Sequence, residues 1–160
     1  MARGQPHLWL GVTLAAVLGA VTLTDLERRT IPDRILLPAA VLAVAILGLA
    51  APEELPEHFL AGLGAGGFLL AAALVRPGGM GMGDVKLAAV MGLYLGRMVA
   101  PAMLFALLAG TAVGALIVAR RGLREGRKAA LPFGAFLALG GVLGMVVGPA
   151  VLGWYATRPL

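Results

Sequence analysis

Long apolar stretches alternate with short polar connections along the whole chain. Six segments share this apolar character, at about 8–23, 35–50, 58–75, 85–95, 101–119 and 131–154. A helix needs roughly 20 mainly apolar residues to cross a bilayer. The fourth segment is too short to cross comfortably, so we expect it to pack inside the bundle. The pattern predicts an all-α, polytopic membrane protein with a bundle of about six transmembrane helices.

The composition agrees with a lipid environment. Hydrophobic residues make up 60% of the chain and charged residues 13%, and the mean hydropathy is +0.94. Six segments use up most of the 160 residues, so we expect a single integral-membrane domain over 1–160. The chain has neither cysteine nor serine, which excludes disulfides, thiol or serine nucleophiles, and cysteine-based zinc sites.

Basic residues concentrate in the connections on one side of the predicted bundle. The net charge is +5, and ten of the thirteen Lys and Arg fall in or beside the connections after the first, third and fifth segments. The positive-inside rule makes that side cytoplasmic and places both termini outside. We expect no nucleic-acid binding, because the basic residues lack aromatic stacking partners or a groove-reading motif.

A glycine-rich loop precedes the fourth segment and ends in a single carboxylate. Gly78, Gly79, Gly81 and Gly83 can take positive φ and allow another backbone to approach closely. Asp84 follows them, where the loop becomes an apolar helix. Burying an ionised carboxylate costs several kcal/mol unless it has a partner, and acids at membrane depth are candidates for function.

The first connection carries three further acids with different expected roles. Asp33 directly follows Pro32 and is placed to cap a second helix that starts at Arg34. Asp25 falls at the end of the first segment, where a carboxylate opposes the negative end of the helix dipole. Its position therefore needs another explanation. Glu27 is the third acid of this connection.

The predicted topology brings Asp25 and Asp84 to the same cytoplasmic end of the bundle. Two carboxylates in a low-dielectric pocket cannot both ionise easily, so one retains a proton. Such a pair can activate a water molecule and polarise a peptide carbonyl without a cofactor, a metal or a covalent intermediate. Metal hydrolysis is a poorer hypothesis, because His7 and His58 fall on the opposite face.

Other hypotheses explain part of the pattern. A transporter or proton-conducting protein could also place Asp25 and Asp84 in a polar cavity, and a non-catalytic component of a membrane assembly could retain both. In a purely structural role, Asp84 caps the fourth segment and Asp25 pairs with Arg28 or Arg29. That role leaves the glycine loop and the shared face unexplained.

Three motifs in order resemble the type IV prepilin peptidase family, whose members are GxGD intramembrane aspartic peptidases. The motifs are Asp25 with Ile31-Pro32-Asp33 and Leu36-Leu37-Pro38, Gly81-Met82-Gly83-Asp84 with Val85-Lys86-Leu87, and Leu131-Pro132-Phe133-Gly134-Ala135-Phe136-Leu137-Ala138. The resemblance implies an aspartic endopeptidase of the cell membrane, with Asp25 and Asp84 as the catalytic pair. It also implies that the enzyme cuts the basic leader from prepilins and related pseudopilins at the cytoplasmic face.

A basic leader would be repelled by the basic face unless acids lie in its path, so we expect Glu27 or Asp33 to help hold it. The full set of expected substrate-binding residues is Glu27, Asp33, Gly81, Gly83 and Lys86. Longer members of the family carry an N-terminal region with paired CxxC motifs and also N-methylate the product. This chain resembles the compact, peptidase-only members, so we expect no methyltransferase activity.

The charge pattern generates a test of topology. A reporter fused after Leu160 should behave as exterior, and one inserted near Glu125 should behave as cytoplasmic, because the basic connections resist translocation. Alkaline phosphatase and fluorescent-protein fusions measure this directly. The reverse pattern would place Asp25 and Asp84 outside and contradict the prepilin hypothesis.

Overall fold

The computed structural model describes residues 6–28, 31–75, 80–126 and 133–156. Over these ranges the chain forms six α-helices and two short 3-10 turns, with no strand. The helices are α1 (Pro6–Arg28), α2 (Asp33–Ala50), α3 (Leu55–Val75), α4 (Met82–Leu95), α5 (Val99–Gly126) and α6 (Phe133–Ala156), and the turns are Pro52–Glu54 and Gly96–Met98. The predicted all-α class is confirmed.

Four stretches of the described chain are long and apolar enough to cross a membrane. They are His7–Asp25, Asp33–Ala50, Pro52–Val75 and Met82–Arg120, the last of which includes α4 and most of α5. A shorter apolar stretch, Phe133–Gly148, lies in α6. Large apolar side chains also cover the outside of the bundle, for example Leu49 and Val75, which are 90% and 86% exposed. The chain is therefore a multi-pass membrane protein, because such an exterior suits hydrocarbon better than water.

Helix α4 lies at the centre of the bundle. It contacts all five other helices, which form a ring in the order α1, α2, α3, α5, α6 and back to α1. Leu87, Ala88 and Met91 of α4 are fully buried. The hydroxyl of Tyr94 donates a hydrogen bond to the carbonyl oxygen of Ala39 in α2, at 2.8 Å. The prediction that this short segment packs inside the bundle is confirmed.

A close helix contact joins α3 and α4 through small residues. A Cβ on Gly92 would overlap the backbone of Gly62, and a Cβ on Gly66 would come within 2.9 Å of the Ala89 Cβ. Small residues allow helix backbones to approach closely in lipid, where packing replaces the hydrophobic driving force. Gly64, by contrast, has no atom near the place of a Cβ. Gly62 and Gly66 of α3 therefore form the contact with α4, whereas Gly64 does not.

Polar groups fix the end of α4 that lies farther from Asp84. The guanidinium of Arg97, just beyond α4, donates to the carboxylate of Glu57 in α3 at 3.1 and 3.2 Å. Nδ1 of His58 lies 2.8 Å from the carbonyl oxygen of Leu93, so this nitrogen carries the proton. His58 is only 6% exposed, so this hydrogen bond is shielded by the protein. Its hydrogen bond holds the last turn of α4 to α3.

The glycine contact predicts opposite outcomes for two Gly-to-Ala changes. Gly92→Ala should destabilise the fold by about 1–3 kcal/mol, because an added methyl forces the two backbones apart. Gly64→Ala, the matched control, should change stability by no more than about 1 kcal/mol, since only helix propensity changes there. Unfolding in mixed micelles, followed by circular dichroism, measures both. Equal effects would contradict the proposed packing of α3 on α4.

Candidate active site

Asp25 is a buried carboxylate in the last turn of α1. It is 6% exposed, and its Oδ2 atom is buried with no hydrogen-bond donor among the described residues. A buried acceptor without a partner costs about 1–3 kcal/mol, and more when it is charged. Asp25 therefore contributes a buried acceptor oxygen that has no partner in the described part of the chain.

Asp84 is the third residue of α4 and is half-buried. Its backbone amide donates to the carbonyl oxygen of Gly81 at 3.1 Å, which closes the first turn of the helix. A helix N-terminus favours a nearby negative charge. The carboxylate of Asp84 also lies close enough to Asp25 for their charges to repel each other. The structure thus brings together the two acids that the sequence predicted to share one end.

Ile31 and Gly134, two residues outside the predicted site residues, also lie at this end of the bundle. A Cβ on Gly134, near the start of α6, would come within 2.8 Å of Oδ2 of Asp25 and 3.0 Å of Cδ1 of Ile31. A Cβ on Gly83 would come within 2.9 Å of the Ile31 Cβ. Both Ile31 and Gly134 occur in the sequence motifs. Their contacts join distant parts of the chain, so the motifs alone did not indicate their roles.

Asp33 and Lys86, two of the predicted substrate-binding residues, form an ion pair. Nζ of Lys86 donates to both carboxylate oxygens of Asp33, at 2.8 and 2.7 Å. The prediction that Asp33 caps α2 is wrong, because α2 begins at Asp33 itself, with Pro32 at the cap position and no side-chain cap bond. Instead, Asp33 joins the first turn of α2 to Lys86 in the second turn of α4.

The other predicted substrate-binding residues lie near the aspartates. Glu27 is exposed on the last turn of α1. Gly81 has a φ of −76°, and Gly83 lies inside α4, so neither has the expected positive φ. The need for glycine at position 83 comes from its contact with Ile31. Gly78 and Gly79 lie outside the described residues.

Both histidines lie at the other end of the bundle. Nε2 of His7 is 3.5 Å from one oxygen of Glu54, and Nε2 of His58 is 3.8 Å from the other. Within the described ranges, no group of three or more His, Asp or Glu side chains is arranged to hold a metal ion. Among the described residues, both histidines therefore lie away from Asp25 and Asp84.

The sequence profile of the type IV leader peptidase family matches residues 12–119. This chain belongs to that family. The matched range includes Asp25 and Asp84, and it covers well over half of the chain. No solved structure matches the chain significantly.

Curated relatives within the type IV leader peptidase family have the same printed name. The chain is 34% identical over 159 residues to the "Prepilin leader peptidase/N-methyltransferase" of Bacillus subtilis (strain 168), a match that covers 96% of this chain and 62% of the relative. It is 31% identical to the protein of the same name from Aeromonas hydrophila, covering 91% of this chain and 53% of that relative. The chain thus spans a little over half the length of these relatives.

The ion pair between Asp33 and Lys86 allows a double-mutant cycle in this family member. Both side chains are about half exposed, so their coupling should be only about 0.2–1 kcal/mol. Asp33→Lys and Lys86→Asp should each destabilise the junction of α2 and α4, and the double reversal should restore most of the loss. Unfolding free energies measured at low and high salt give the coupling. A double reversal as unstable as the sum of the single changes would contradict the pairing.

Proposed function

We propose that this chain is an aspartic endopeptidase that removes the leader peptide from prepilin-like or pseudopilin-like membrane proteins. One observation carries the proposal. The buried carboxylate of Asp25, one oxygen of which has no hydrogen-bond partner among the described residues, lies within charge-interaction range of Asp84 at one end of the bundle. Family membership supports the same reaction, and the printed names of the relatives supply the substrate class.

The chemistry needs one proton shared between two carboxyl groups. The ionised group takes a proton from a water molecule, whose oxygen attacks the carbonyl carbon of the leader's last peptide bond. The protonated group donates a hydrogen bond to the carbonyl oxygen and stabilises the negative charge that develops there. When the C–N bond breaks, a proton passes to the leaving nitrogen. Proton binding then belongs to the pair, so we assign neither role to one aspartate alone.

The low dielectric of the site supports this arrangement. Like charges close together in an apolar environment cannot both persist, so retaining one proton lowers the energy of the pair. Oδ2 of Asp25, which has no hydrogen-bond partner within the described ranges, would act as an acceptor for water or for a peptide group. Gly134 keeps the space beside that oxygen open, because any larger residue would place a Cβ against it.

The proposed orientation puts the aspartates at the cytoplasmic face of the cell membrane. The excess of Lys and Arg in the connections at this end supports it. A precursor anchored by an apolar helix would then present its basic leader close to the site. Glu27 is exposed there and has no ion-pair partner among the described residues, so we propose it as the acid that first meets the leader. Asp33 is less available, because Lys86 neutralises it.

Family membership argues against the two alternative functions considered from the sequence. A transporter and a non-catalytic assembly component are less favoured, because the family profile covers both aspartates and is described as that of a peptidase. The absence of methyltransferase activity stays a prediction, which mass analysis of the trimmed product would test.

The central test of the proposal is an amide replacement at each aspartate. Asp25→Asn and Asp84→Asn should each abolish leader cleavage, because an amide can neither accept a proton from water nor donate an acidic one. The double change should be no worse than either single change, since the two act as one unit. The measurement is leader removal by purified, detergent-solubilised variants whose folding is checked by circular dichroism.

Glu53→Gln provides the matched control for these replacements. It makes the same change from carboxyl to amide at an exposed residue in the Pro52–Glu54 turn, near the opposite end of the bundle. This variant should cleave like the unmodified chain. Substantial cleavage by either the Asp25 or the Asp84 variant would contradict the proposed pair.

A further inference from the structure

The Ile31 side chain lies between α4 and α6, against one glycine of each helix. Its Cβ packs on Gly83, the residue before Asp84, and its Cδ1 packs on Gly134, whose other close neighbour is the Asp25 carboxylate. Ile31 is half-buried and packs against the hydrophobic core. This one apolar side chain therefore reaches both elements that flank the pair.

These contacts imply that the size of the Ile31 side chain limits the free space beside Gly83, Gly134 and the Asp25 carboxylate. Its two glycine neighbours have no side chains, and the β and δ carbons of Ile31 border the space that their Cβ atoms would enter, at 2.9 and 3.0 Å. A peptide that reaches the carboxylates must also bring the side chains on either side of its cut bond into this region. Removing carbons from Ile31 enlarges the region without altering either carboxyl group.

We propose that Ile31 is a specificity-determining residue, which limits the space beside Asp25 and so the size of the substrate residue accepted next to the cut bond. The proposal rests on the proposed peptidase function for its substrate. Its structural part, that Ile31 restricts access to Asp25, does not depend on cleavage. The two parts can therefore be tested separately.

The first experiment measures relative cleavage of paired substrates by Ile31→Val. This change deletes only Cδ1, the atom that faces Gly134, and keeps the branched Cβ that packs on Gly83. Precursors that differ only in having alanine or leucine at one position flanking the cut bond compete in one reaction. The leucine-to-alanine ratio of kcat/KM should rise about tenfold at one of the two positions, as expected for one methylene in an apolar pocket.

The leucine-to-alanine ratio of kcat/KM is not affected by partial loss of activity in a variant, because both substrates compete for the same enzyme. Ile46→Val is the matched control, since Ile46 also packs against the core but lies four turns along α2 from Ile31. Its ratio should equal that of the unmodified chain. An Ile31→Val ratio that is unchanged at both flanking positions would overturn the proposed role in specificity.

The second experiment measures access to Asp25 directly. Dicyclohexylcarbodiimide, an apolar reagent, adds to protonated carboxyl groups, and peptide mass spectrometry quantifies the adduct at residue 25. The labelling rate should rise from the unmodified chain to Ile31→Val and again to Ile31→Ala, while Ile46→Val stays at the starting rate. Equal rates in all four proteins would overturn the proposal even if cleavage occurs.

The two readouts separate failure of this proposal from failure of the proposed function. If the unmodified chain cuts no precursor but labelling rises as expected, the peptidase hypothesis fails and the restriction of Asp25 by Ile31 stands. If the chain cuts its precursor but neither the ratio nor the labelling changes, the peptidase hypothesis stands and Ile31 has only a packing role.

Discussion

The backbone contact between α3 and α4 sets the position of everything else in this bundle. Gly62, Gly66 and Gly92 let the two helices approach until one backbone rests on the other. This close approach lets a 14-residue helix lie at the centre of the bundle, in contact with all five neighbours. Because Asp84 is in the first turn of α4, its depth and direction follow from a contact made two turns further along the same helix.

Polar links at both ends of α4 then prevent it from sliding. Lys86 pairs with Asp33 of α2 near one end, and Arg97 pairs with Glu57 of α3 near the other. Each exposed pair contributes little by itself. The buried hydrogen bonds of Tyr94 and His58 add links that lipid cannot replace, since a polar group in hydrocarbon needs a protein partner. A helix held in this way can present Asp84 to a fixed point on α1.

The sequence predicted the helices and the two acids well, because both leave strong local signals. Apolar stretches mark the spans. Asp25 is a carboxylate at the C-terminal end of a helix, which the helix dipole disfavours, and Asp84 directly follows a glycine-rich loop. The roles of Ile31, Gly134 and His58 could not be predicted, since each depends on a neighbour far away in the chain. The prediction that Asp33 caps α2 is wrong for the same reason. Its partner is Lys86, 53 residues away, which no local pattern indicates.

Motif glycines illustrate the same limit. The sequence predicts positive φ for Gly81 and Gly83, yet glycine is needed at position 83 because Ile31 lies only 2.9 Å from the place of a Cβ there. Glycine is needed at position 134 for a similar reason, because a Cβ there would lie 2.8 Å from Oδ2 of Asp25. In both cases the residue lies in a sequence motif, while the physical reason is a contact with a residue far away in the chain. The site is therefore a junction of α1, α4 and α6 rather than a property of one loop.

The most direct measurement of the central claim is cleavage by the purified chain alone. The chain, in detergent with a metal chelator, is mixed with a precursor that carries a basic leader before an apolar helix, and the products are weighed by mass spectrometry. The account predicts a single cut just before the apolar helix, at a rate that the chelator leaves unchanged. An intact precursor, or cleavage that stops when the chelator is added, would contradict catalysis by a pair of aspartates.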